Sequence, residues 1–112
     1  MVAQRDRGEV DIVIDGVTRT LRLSRRAQRE LANELGVEPG LKGLQSVLTS
    51  MDEERVFAFV RHALQGEQPE DWDEVYMPIA PAAEAVADCL MLAYFGPEGP
   101  PQDDPPKAQE NP

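Results

Sequence analysis

One dipeptide, Asp15-Gly16, constrains this 112-residue chain more than any other feature. It lies between Glu9–Ile14 and Val17–Arg22, two stretches in which apolar and polar residues alternate. A type I′ turn needs φ > 0 at both central residues, and Asp-Gly tolerates that. A two-residue loop also fixes the register. Ile14 then faces Val17, Ile12 faces Arg19 and Val10 faces Leu21, with Leu23 extending this mostly apolar face. The other face pairs Val13 with Thr18, Asp11 with Thr20, and Glu9 with Arg22 as an opposite-charge pair. An isolated hairpin is marginal in water, so helices must cover the apolar face.

The next residues supply the first helix. Ser24 is placed as an N-cap, with Leu23 before it as a staple residue. Ala27, Leu31 and Leu35 make a narrow apolar face, and Gly36 is placed to end the helix in the left-handed conformation. Arg25 and Arg26 break a local rule, because cations in a first turn oppose the helix dipole. Their simplest role, with Arg29, is to pair with acidic residues 67–74 of the same chain.

Glu38-Pro39-Gly40 is a turn by composition. Leu41, Leu44, Val47, Leu48 and Met51 predict a short second helix, weakened by Gly43. Ser50 and Glu53 fit a capping box that starts a third helix, with Asp52, Glu53 and Glu54 in its first turn. Val56, Phe57, Phe59, Val60, Ala63 and Leu64 fall within an arc of about 160°. Arg55, Arg61 and His62 lie opposite, and Gly66 is placed to end the helix. Pro69 suits the first position of a short helical or turn-like segment carrying Trp72, Val75 and Tyr76. Met77 precedes Pro78, so a break falls there. Pro81 starts the last helix, whose face is Ala82, Ala85, Val86, Cys89, Leu90 and Ala93, and Gly96-Pro97 stops it. It is apolar nearly all round and is expected to be the most buried.

The expectation is therefore one α+β domain over residues 8–96: an N-terminal β-hairpin packed on four to five short helices. A flexible N-terminus (1–7) precedes it, and a disordered Pro-rich acidic tail (97–112) follows. Charge is uneven. Residues 1–35 hold seven Arg against six acids, whereas residues 67–112 hold Lys107 against eleven acids, and the net charge is −10. That balance argues against a nucleic-acid surface and suits a basic protein partner. No apolar run approaches the roughly 18 residues of a membrane span. The N-terminus lacks the apolar segment of a secretory signal. With Cys89 alone no internal disulfide forms, which fits a reducing cytoplasm.

Catalytic and metal constellations are not evident. His62 has no second His or Cys nearby and reads as a solvated surface residue. Cys89 reads as a buried structural thiol, and the acids at 70–74 lack the ligand spacing and central Gly of a calcium loop. We expect no enzyme, no cofactor and no bound metal. Two features could face a partner. One is an apolar strip on the last helix, Ala87, Met91 and Tyr94, unless it packs on another helix of the same domain. The other is the arginine group Arg25, Arg26 and Arg29.

The stretch from Arg7 to Val37 resembles the start of the small gene-transfer-agent tail proteins, within the phage tail assembly chaperone group of tailed phages and prophages. The resemblance rests on Gly8-Glu9-Val10, Ile14-Asp15-Gly16, Leu21-Arg22-Leu23, Glu30-Leu31 and Gly36-Val37. It continues in the apolar helix running into Tyr94-Phe95-Gly96-Pro97 and in the Pro-rich tail ending Glu110-Asn111-Pro112, and covers roughly residues 7–97. Ser24-Arg25-Arg26 departs from it, because family members have a less charged start to the first helix. The resemblance implies a chaperone that holds the tape-measure protein soluble, with the tail-tube protein as a second candidate partner, in the bacterial cytoplasm during particle assembly. Self-association is also compatible. The alternative is a structural tube or connector subunit retained in the particle, for which one hairpin is poor material.

Overall fold

A computed structural model describes residues 4–38, 40–50 and 52–98, without the side chains of Leu41, Val47, Leu48 and Ser50. Strands β1 (Glu9–Ile14) and β2 (Val17–Arg22) form a two-stranded antiparallel sheet in the register that the turn dictates, from Glu9 opposite Arg22 to Ile14 opposite Val17. Asp15 (φ 54°) and Gly16 (φ 76°) both occupy the left-handed region, as type I′ requires. Val10, Ile12, Ile14, Leu21 and Leu23 are buried. Val17 shares their face but stands 57% exposed, because the tip of the hairpin lacks helical cover. Glu9 and Arg22 face each other without forming the expected ion pair. The Glu9 carboxylate accepts from the Gln4 amide (3.0 Å), and Arg22 Nε donates to the Arg7 carbonyl (3.1 Å).

Four α-helices follow among the described residues: α1 (Arg25–Leu35), α2 (Leu41–Ser50), α3 (Glu53–Ala63) and α4 (Ile79–Phe95). Ser24 caps α1 by accepting from the Ala27 amide at 3.1 Å. The N4 position holds Gln28 instead of an apolar staple partner, and Gln28 donates to the Leu23 carbonyl. At the other end Gly36 (φ 70°) closes a Schellman turn: its amide donates to Asn33 and that of Val37 to Ala32. Gly43 in α2 has a packing reason. A Cβ there would lie 1.9 Å from the Glu38 carbonyl oxygen.

Several boundaries differ from expectation. The cap of α3 is Asp52, which accepts from the Arg55 amide at 2.9 Å, and Ser50 is the last residue of α2. A carboxylate at the cap with Glu53 and Glu54 behind it satisfies the dipole better than a serine two residues earlier would. The same helix ends at Ala63, before Gly66. Leu64 turns extended and bridges to Leu21, and the Gln65 amide donates to the Thr20 carbonyl, so residues 64–65 cover the outer edge of β2. Pro69 starts no helix; a 3-10 turn spans Trp72–Glu74, capped by Asp71. Helix α4 begins at Ile79, which places Pro81 in its first turn, where an amide would have no intrahelical partner anyway. Of the start of the chain, read as flexible over residues 1–7, residues 1–3 lie outside the described residues. Arg5–Arg7 form a 3-10 turn, and Arg5 grips Asp88 of α4 through two hydrogen bonds (2.8 and 3.1 Å). Pro97 and Glu98 form a turn, and the expectation for the tail from residue 99 onward lies outside the described residues.

One core joins these elements. Helix α4 crosses the apolar face of β1 and packs on α2 and α3, while α1 packs on α3. Phe59, Leu21, Leu31, Leu44 and Leu90 are fully buried at its centre. The core also includes Ala32, Ala58 and Leu92, which lie off the faces read from periodicity. No polar side chain is buried among the described residues. Replacing Leu21 by Ala would cost about 2–5 kcal/mol.

Candidate functional site

The described surface carries three exposed large apolar side chains, Val13 (53%), Val17 (57%) and Tyr76 (70%), all at the tip end of the hairpin. Their placement follows from Asp15. Its amide donates to the Tyr76 carbonyl, and its Oδ1 accepts from the Tyr76 amide, both at 2.8 Å. One residue thus sets the turn and fastens the segment leading into α4 to the hairpin. Beside this clamp an open groove of about 430 Å³ runs between β1 and the first turns of α4. Asp11, Ile12 and Val13 form its strand wall, and Pro78, Pro81 and Ala85 line the helix side. Asp11 is the sole charge lining it among the described residues.

The strand wall is an open sheet edge. In a two-residue hairpin the closing pair, Ile14 and Val17, is hydrogen-bonded, so the even-numbered residues of β1 bond to β2. Odd-numbered amides point outward. At the ends of the strand they are taken: Glu9 donates to the Gln4 carbonyl and Asp15 to that of Tyr76. Between them, the outward backbone groups of Asp11 and Val13 have no partner among the described residues and face the groove. The opposite edge is closed by residues 64–65 and by Arg19, whose guanidinium donates to the Gln65 and Glu67 carbonyls.

The residues singled out from sequence are distributed differently. Ala87, Met91 and Tyr94 are all half-buried. Tyr94 packs on the core and donates to Gln28 Oε1 of α1 at 2.6 Å, with burial raising its phenol pKa, so it belongs to helix packing within the domain. Arg25, Arg26 and Arg29 are exposed, and the expected pairing with acids 67–74 does not form; among the described residues they have no ion-pair or hydrogen-bond partner through their guanidinium groups. Topology explains this. The start of α1 lies beside Leu92 and Ala93 of α4, whereas the acidic segment packs on α3, where Trp72 meets Phe57 edge-on with centroids 6.2 Å apart.

His62 is also corrected from a freely solvated residue. It is half-buried, with Nε2 2.7 Å from Glu34 Oε1 and Nδ1 3.8 Å from Glu30 Oε1. Arg61 donates to the same Glu34 carboxylate at 2.7 Å. The Arg61 hydrogen bond, then that of His62, holds the Glu34 carboxyl below its ordinary range. This group ties α1 to α3 on the surface. Cys89 is fully buried, and burial pushes its thiol up to about 12, the behaviour of a structural thiol.

No helix among the described residues is long and apolar enough to cross a membrane. Compared with protein-family models, with curated proteins and with solved structures, the chain matches none.

The groove and its open edge offer an apolar wall, unpaired main-chain donors and acceptors, and one carboxylate. Such a surface can hold extended polypeptide. Sequence periodicity missed it, because Pro78, Pro81 and Ala85 meet β1 only through the tertiary fold. The signal available was indirect: an edge strand whose outward face carries Val13 beside Asp11.

Proposed function

We propose that this chain is a non-catalytic tail assembly chaperone of gene transfer agents and related tailed phages, acting in the bacterial cytoplasm to hold the tape-measure protein soluble while the tail tube assembles. The observation that carries this reading is the exposed apolar tip beside an open groove on an acidic protein. A chaperone of this kind must cover apolar surface reversibly and stay soluble itself. A net charge of −10 serves solubility, and an adaptable apolar groove serves the covering. The sequence resemblance over roughly residues 7–97 supplies the partner.

Co-expression with a tape-measure protein tests the reading. The expected result is co-purification with a gain in partner solubility, and absence of this chain from mature particles. Stoichiometric recovery in purified particles would contradict it and favour a tube or connector subunit.

A further inference from the structure

We infer that the open edge of β1 and the adjoining groove bind a short extended segment of a partner protein, in which apolar residues alternate with Lys or Arg, by adding it as a third strand. The inference rests on reading this chain as a protein-binding module and is independent of the partner's name. Hydrogen bonding defines the vacancy. Gln4 and Tyr76 occupy the third-strand position at the two ends of β1, and the backbone of Asp11 and Val13 is open between them. Residues 9 and 15 lie about 20 Å apart at about 3.3 Å per residue, so the gap admits about four or five residues.

Side-chain chemistry selects the segment. Alternate side chains of an added strand point to opposite sides of the sheet. Those on the helix side meet Ile12, Pro78, Pro81 and Ala85, which favours apolar residues. Those on the outer side lie beside Asp11, which is exposed and has no ion-pair partner among the described residues, which favours a cation. The same carboxylate disfavours a second copy. Antiparallel pairing of two β1 edges would bring Asp11, Glu9 and Asp15 of both copies together, and like charges across a sheet repel.

The test is NMR titration of the isotope-labelled full chain with the peptide acetyl-Lys-Val-Lys-Val-Lys-amide, alongside its Glu-for-Lys counterpart. The expected result is shift changes concentrated at Asp11–Val13, Tyr76 and Ala82–Ala85, with slowed exchange of the Asp11 and Val13 amides. Asp11→Lys, an exposed substitution, should weaken the cationic peptide about fivefold or more and strengthen the anionic one. Ala85→Gln, which narrows the groove, should weaken both. Shift changes elsewhere, no binding, or affinity indifferent to Asp11→Lys would overturn the proposal. Concentration-dependent shifts at Asp11 and Val13 without peptide would overturn it in favour of self-pairing. Peptide binding at the edge without tape-measure co-purification would uphold the groove and remove the chaperone reading. Co-purification unaffected by Asp11→Lys, with no peptide binding, would do the reverse.

Discussion

At the scale of single residues, three side chains carry consequences that their type alone does not announce. Gly43 sits inside a helix, where alanine is normally better by about 1 kcal/mol. Here a Cβ would strike the Glu38 carbonyl at 1.9 Å, so Gly43→Ala should destabilise, by about 1–3 kcal/mol in urea denaturation. A gain in stability would show that the Glu38 turn moves aside freely. Asp15 combines a positive φ with a side-chain acceptor for the Tyr76 amide. Asn can do both and Ala neither, so Asp15→Asn should be nearly neutral while Asp15→Ala costs about 1–2 kcal/mol, measured by thermal unfolding. Cys89 is buried with its thiol pushed up to about 12, so a thiol reagent should label the native protein far more slowly than the urea-unfolded chain. Equal rates would mean that α4 opens readily.

At the scale of elements, local chemistry was legible wherever contacts are close in sequence. The hairpin register, the Ser24 cap and the Gly36 terminus all depend on residues within a few positions of one another, and all formed as read. The start of α3 was misread because Ser50 and Asp52 compete for one role, and the carboxylate won. Asp52→Ala should therefore cost about 1 kcal/mol, read from the urea midpoint at unchanged slope. The bonds of Glu34 to Arg61 and His62 span 27 and 28 residues and were invisible to periodicity. Their sign can be worked out. Folding lowers the Glu34 carboxyl, so its contribution is present above the ordinary carboxylate range and lost as pH falls through the folded value. Asp88, lowered by its hydrogen bond to Arg5, behaves alike. Unfolding curves for Glu34→Gln between about pH 6 and about pH 3 should show a shallower loss of stability on acidification than the parent. Parallel curves would mean that the cluster contributes nothing, a result known for exposed ion pairs.

At the scale of the whole molecule, α4 is the organising element. It lies over β1, receives Arg5 through Asp88, bonds α1 through Tyr94, and lends its first turns to the groove. Its sequence, apolar nearly all round, made it the helix expected to be most buried. Yet five of its 17 residues are buried against five of the 11 in α3, because the small side chains of α4 leave much of its length only half-covered. The candidate site was not legible, because the site is a gap between elements: periodicity describes what a face contains, and it is silent on where two faces fail to meet. The apolar strip expected at Ala87, Met91 and Tyr94 is half-buried, and among the described residues the exposed large apolar side chains collect at the hairpin tip. The central claim is that this tip and the β1 edge bind a partner segment. Its most direct test is co-expression of the tape-measure protein with the parent chain and with Asp11→Lys, scored by the fraction of tape-measure protein in the soluble, co-purifying pool. The account predicts a soluble complex with the parent and a much smaller pool with the substituted chain, both chains being equally folded. Equal pools would contradict the placement of the site, and no complex with either chain would contradict the function.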